Sequence, residues 1–194
     1  MLHTNDQHVH GYIKEKAVVA VRDPRDQVVS LRNFLNKLCK EIEATGVVHI
    51  GMKGFDVKGY MEPSEKEKLR QLIFSNFFPQ DVGFERAAVS MDKPHILLVR
   101  FEDFIGSQGG GDDVKQRETF MKIFSFFNQN ISQDLLEASL QKAWGNSWTF
   151  HKGQIGKWKE QLDKEHIFLI KERWNKYIMK WGYETDEDWW IDYM

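Results

Sequence analysis

The run Ala17-Val18-Val19-Ala20-Val21, stopped at once by Arg22-Asp23-Pro24, limits what this chain can fold into more than any other feature. An unbroken apolar stretch rich in β-branched residues reads as a strand of a parallel sheet, buried on both faces. Pro24 has no ladder donor but suits the first turn of a helix. Beyond it Val28, Leu31, Leu35, Leu38 and Ile42 recur at helical spacing, and Thr45-Gly46 supplies the stop. The unit is strand, tight turn, helix. Ile96 to Phe101 (ILLVRF) reads as a second buried strand. Strands alternating with helices imply an α/β layer architecture. Two evident strands are few for such a sheet, so part of it is expected to be missing or to lie outside this chain.

The remaining pattern is mostly helical. Pro63-Ser64 opens a charged helix to about Asn76, closed by Pro79. Gly106 to Asp113 (GSQGGGDD) reads as a flexible loop, and the stretches 46–62 and 77–94 as loops of unassigned structure. One helix places Phe120, Ile123, Phe124 and Phe127 on a face, and another runs from about Ser132 to Ala143. A long last helix aligns Ile167, Ile170, Trp174, Ile178 and Trp181 and stops at Gly182. An acidic, aromatic tail, DEDWWIDYM, follows. There are no internal repeats and no linker, and 194 residues fit one domain spanning 1–194.

Composition narrows the function classes. A net charge of −2 gives no global basic field, so nucleic acid is not an expected partner and any anion must be held by a local cluster. No apolar run is long enough to span a bilayer, and the polar start MLHTNDQHVH lacks the order of a signal peptide. The lone Cys39 sits among Leu35, Leu38 and Ile42 and reads as a buried small hydrophobe. A soluble cytoplasmic protein is expected.

Chemistry is concentrated after the first strand. Arg22 stands at its C-terminal edge, where open α/β sheets bind ligands. The next helix aims its free N–H groups at the same place. Arg22 and Ser30 together offer a planar fork of donors and a hydroxyl, a pairing that suits a phosphate. On spacing alone, a helix-capping salt bridge between Arg22 and Asp26 is an equal alternative.

The segment Arg22-Asp23-Pro24-Arg25-Asp26 with Ser30 resembles the 3′-phosphate-binding motif of sulfotransferases that use 3′-phosphoadenosine 5′-phosphosulfate (PAPS). A second segment, Phe150-His151-Lys152-Gly153-Gln154-Ile155-Gly156-Lys157-Trp158-Lys159, resembles that family's other nucleotide motif, with His151 where Arg is usual and Lys157 where Asp is common. Arg100-Phe101-Glu102-Asp103 resembles its Arg-Tyr-Glu-Asp strand end. The resemblance implies that Arg22, Ser30, His151, Lys152 and Gly153 hold the 3′-phosphate and that Phe101 stacks on the adenine. A plain core role fits Phe101 equally. It further implies a P-loop-NTPase-like sulfotransferase fold, with a parallel sheet flanked by helices and PAPS as co-substrate. The reaction would be sulfuryl transfer to a hydroxyl or amine of an unknown small molecule.

The family's Pro-Lys-Ser-Gly-Thr-Thr-Trp loop, which cradles the 5′-phosphosulfate, has no counterpart in the 194 residues. The chain is therefore expected to be an N-terminally incomplete sulfotransferase domain, either part of an active enzyme or an impaired remnant that keeps the 3′-phosphate half-site. His3, His8 and His10 are the residues of the right type for the family's catalytic base; His3 stands at the better distance from Arg22, His8, followed by Val9, has the better neighbour, and a short polar N-terminus also holds histidines for no catalytic reason. A P-loop kinase reading fails for want of GxxxxGK[ST]. The Lys-x-x-x-Thr-Val dimer motif of many family members is not visible after Trp158, which leaves the oligomeric state open.

Overall fold

A computed structural model describes residues 15–48, 50–75, 80–143 and 154–194. The Asp23-Pro24 stop acts as the sequence implies. Strand β1 (Ala17–Val21) gives way to helix α1 (Pro24–Thr45), whose N-cap Asp23 accepts from the Arg25 N–H. Gly46 ends the helix at φ 71°, a left-handed conformation that favours glycine, and its N–H returns to the Ile42 carbonyl. A 3₁₀ turn (Ile50–Met52), α2 (Val57–Met61), α3 (Glu65–Phe74) and α4 (Gln80–Ser90) lead to strand β2 (Ile96–Arg100). Next come α5 (Phe101–Phe104), a 3₁₀ turn (Ser107–Gly109), α6 (Asp113–Phe126) and α7 (Gln133–Lys142). The described C-terminal part holds α8 (Trp158–Gln161), α9 (Lys164–Lys180) and a 3₁₀ tail (Trp189–Tyr193).

Among the described residues the sheet has two parallel strands, paired from Ala17 with Ile96 to Val21 with Arg100. This register places Arg22 and Phe101 side by side, one residue past the ends of their strands. The molecule is thus mixed α/β, mostly helical, around a small sheet. The expectation that the first strand is buried on both faces needs correcting. Only Val21 is buried, Ala17 to Val19 are half-buried, and Ala20 is exposed. Among the described residues β1 has a strand neighbour on one side only, and α4 packs on it. β2, touched by α4, α5 and α6, buries Ile96, Leu97 and Val99.

The core lies between helices. α9 packs against α1, α3 and α4. Val28, Leu35, Leu38, Cys39 and Ile42 of α1 meet Leu69 and Ile73 of α3, and Ile167, Ile170, Trp174 and Ile178 of α9, in one buried cluster. Each such aliphatic side chain contributes about 1.5–3 kcal/mol by leaving water. Two stretches read as loops contain helices. α4 lies within 77–94 because Phe84 faces the aromatic side of α9, with its ring 5.3 Å from Trp174 and 5.4 Å from Trp181. α2 forms within 46–62, where the Asp56 side chain accepts from the Gly59 N–H. Gly106 to Asp113 is a wound turn. The Gly111 N–H bonds the Gly106 carbonyl, and a Cβ on Gly111 would stand 2.0 Å from the Ile105 carbonyl oxygen.

Candidate functional site

The site grows from the turn between β1 and α1. Arg22, half-buried, lays its guanidinium over the Phe101 ring at 4.7 Å. Its Nη2 donates to the Gln154 carbonyl at 3.0 Å, across 132 residues of sequence. Its Nε is buried and has no protein partner among the described residues, a feature that in a native fold calls for an explanation.

Asp26 does not pair with Arg22 in a capping salt bridge. Its carboxylate, on a residue 2% exposed, accepts from the Gly156 N–H at 2.6 Å and from the Trp158 N–H at 3.0 Å, one donor to each oxygen. Burial pushes the Asp26 carboxyl up, against the pull of those two donors and of the Arg22 guanidinium. The glycine-rich turn completes the grip, since the Ile155 N–H donates to the Gly109 carbonyl at 3.1 Å. Thus 154–158, the described part of the second motif, is bonded at Gln154, Ile155, Gly156 and Trp158 to the β1–α1 turn and the 107–109 turn.

Arg25 anchors the other side. It binds Asp23 through two nitrogens, at 2.9 and 2.7 Å, and Glu184 at 2.5 Å. Its guanidinium lies between the Trp158 and Trp189 rings, at 4.2 and 4.6 Å. The Tyr193 ring sits 5.0 Å from Trp158, so the C-terminal tail is packed against the same turn. Beneath it Glu102 accepts from the Asp23 N–H at 3.0 Å and from the Tyr183 hydroxyl at 2.5 Å. Burial raises the Glu102 carboxyl, and burial beside the Glu102 charge raises the Tyr183 phenol.

Of the residues singled out by sequence, Arg22 and Phe101 are brought into contact. Ser30, the seventh residue of α1, is half-buried and bonds neither Arg22 nor the 154–158 segment. His3, His8, His10, His151, Lys152 and Gly153 lie outside the described residues. Gln154 is the nearest described neighbour of the Lys152-Gly153 pair, and it is the residue Arg22 binds. Sequence reasoning missed the roles of Arg25, Asp26, Glu102 and Trp189. Only Asp26 had a local signal, its place in the first helical turn. No group of three or more His, Cys, Asp or Glu side chains able to hold a metal occurs among the described residues. No helix among them is long and apolar enough to cross a membrane.

No family profile matches the chain, and no solved structure matches it. Its sequence is 28% identical over 167 residues to Sulfotransferase 6B1 of Danio rerio, an alignment covering 78% of this chain and 48% of that protein. The chain spans about half the length of that curated relative. The similarity supports a relationship to sulfotransferases.

Proposed function

We propose that this chain forms the 3′-phosphate side of a sulfotransferase that uses PAPS. The observation that carries the reading is the meeting of two motifs from opposite ends of the chain. Arg22 binds the Gln154 carbonyl and Asp26 binds the Gly156 and Trp158 amides, all beside the N-terminus of α1. The positive group offered to an anion there is the Arg22 guanidinium, whose buried Nε has no protein partner among the described residues. In this reading Arg22 gives a charge-assisted contact to the 3′-phosphate, Ser30 a hydroxyl, and Lys152 a point charge. The Gly153 amide approaches the anion closely, and His151 adds a contact that depends on its protonation. Phe101 backs Arg22 and offers its ring to the adenine.

In the reaction the acceptor oxygen or nitrogen attacks sulfur. The bond from sulfur to the 5′-phosphate oxygen breaks, the acceptor proton passes to a base, and adenosine 3′,5′-bisphosphate leaves. The residues named above hold the nucleotide while this happens and take no part in bond making.

Calorimetry on the 194-residue chain tests the reading, with adenosine 3′,5′-bisphosphate against adenosine 5′-monophosphate. The bisphosphate is expected to bind more tightly. Arg22→Ala should cost about 2–5 kcal/mol of that binding, and Ser30→Ala less. Equal affinity for the two nucleotides, no binding of either, or a preference that survives Arg22→Ala overturns it.

A further inference from the structure

We propose that Asp26 is the positioning residue of this site: its carboxylate sets where the 154–158 segment sits and, through Gln154, where the Arg22 guanidinium points. The inference rests on the functional reading above for its consequence, and on geometry alone for its first half.

In a capping box the side chain at the third position of a helix, usually Glu or Gln, reaches back to the N–H of the cap residue. Asp26 holds that position in α1, with Asp23 as cap. Here the Asp23 N–H is taken by Glu102 Oε1 at 3.0 Å. Asp26 is thereby released from the usual contact, and both of its oxygens go to the Gly156 and Trp158 amides. Two bonds from one rigid fork to amides two residues apart fix both the place and the direction of the strand of chain between them. A single bond would leave it free to pivot. Gly156 at φ 75° supplies the backbone turn that brings both N–H groups to one carboxylate.

The same segment presents the Gln154 carbonyl to Arg22 Nη2. Arg22 is therefore held from two directions, by the Phe101 ring against its face and by a carbonyl that Asp26 has placed. Moving the segment releases the second hold and lets the guanidinium turn about the ring. Asp26 itself touches no ligand in this scheme.

Asparagine at this position is isosteric but has one acceptor and one donor, and its NH₂ group would face an amide N–H. Glutamate keeps the charge but carries it one methylene further. Hydrogen exchange on the whole chain gives a readout that needs no ligand. In Asp26→Asn, exchange across 154–158 should rise about tenfold or more, while α9 stays as protected as before. Affinity for adenosine 3′,5′-bisphosphate should fall about tenfold, with little change for adenosine 5′-monophosphate. Asp26→Glu should lose the same preference although its charge is intact.

Unchanged exchange at 154–158 in Asp26→Asn overturns the proposal. So does faster exchange with the nucleotide preference preserved, and so does full function in Asp26→Glu. Loss of protection throughout α9 in both variants also counts against a local positioning role. If the unaltered chain itself shows no preference for the bisphosphate, the functional reading fails, and the exchange measurement alone then decides whether Asp26 seats the segment.

Discussion

Glu102 keeps a carboxylate inside the protein between the Asp23 amide and the Tyr183 hydroxyl. Burial raises its pKa in the folded chain. Between the ordinary glutamate value and the raised one, the folded state binds a proton that the unfolded state has released. Stability therefore falls as pH rises through that window and is level above it. In Glu102→Gln the amide oxygen still accepts from Asp23, and the Tyr183 hydroxyl can turn its hydrogen to the Val21 carbonyl, 3.4 Å away. The variant is expected to be at least as stable as the parent at neutral pH. Its advantage should vanish as pH drops below the ordinary glutamate value, as urea midpoints across that range would show. Cys39 is another residue-scale case. It is 0% exposed, and burial pushes its thiol up. It should react with a thiol reagent only on the timescale of unfolding, and fast labelling of the native chain would contradict its structural role.

Among the helices, α1 and α9 were readable because their signals are local. An apolar period of one face, a proline at the entry of α1 and a glycine just past each end fix them without help from the rest of the fold. α4 was not readable. Gly83 interrupts it, and its buried face is Phe84, Ala87 and Ala88, a pattern whose meaning depends on the Trp174 and Trp181 rings far along the chain. The exposure of β1 was also beyond sequence, since an apolar run does not say how many strands will flank it. The entry to α1 carries more than a cap. Asp23 accepts from the Arg25 amide and binds the buried Arg25 guanidinium. Ordinary cap removal costs about 1 kcal/mol, and leaving a buried charge unpaired costs about 3–5 kcal/mol. Glu184 keeps part of that charge paired. Asp23→Ala should therefore lower unfolding free energy by about 3 kcal/mol, well beyond Ser132→Ala at the exposed cap of α7. Equal losses in chemical denaturation would show that Arg25 needs no partner at the turn.

Across the whole molecule, the candidate site was half legible. Arg22 and Phe101 stand out because residue type and strand end coincide. The grip on 154–158 did not stand out, because its donors are backbone amides, which every residue but proline has, and its acceptor lies 130 and 132 residues away. The 194 residues contain no Pro-Lys-Ser-Gly-Thr-Thr-Trp segment, the loop that would hold the sulfuryl end of PAPS in the proposed function. By themselves they should transfer sulfate slowly or not at all, since losing even one preorganised donor costs about a hundredfold in rate. Rapid release of adenosine 3′,5′-bisphosphate from PAPS with an acceptor present would refute this. Arg25 and Glu184 are separated by 159 residues, and that distance matters on the ribosome. Arg25 is synthesised early, and the tryptophans that sandwich it arrive late. While translation runs, the β1–α1 turn has its own Asp23 for company but no aromatic cover and no 154–158 segment to hold. The candidate site is thus among the last parts of the fold to close, and, on the proposed function, a nascent chain arrested before Trp158 should show no preference for the bisphosphate, however complete its first helix.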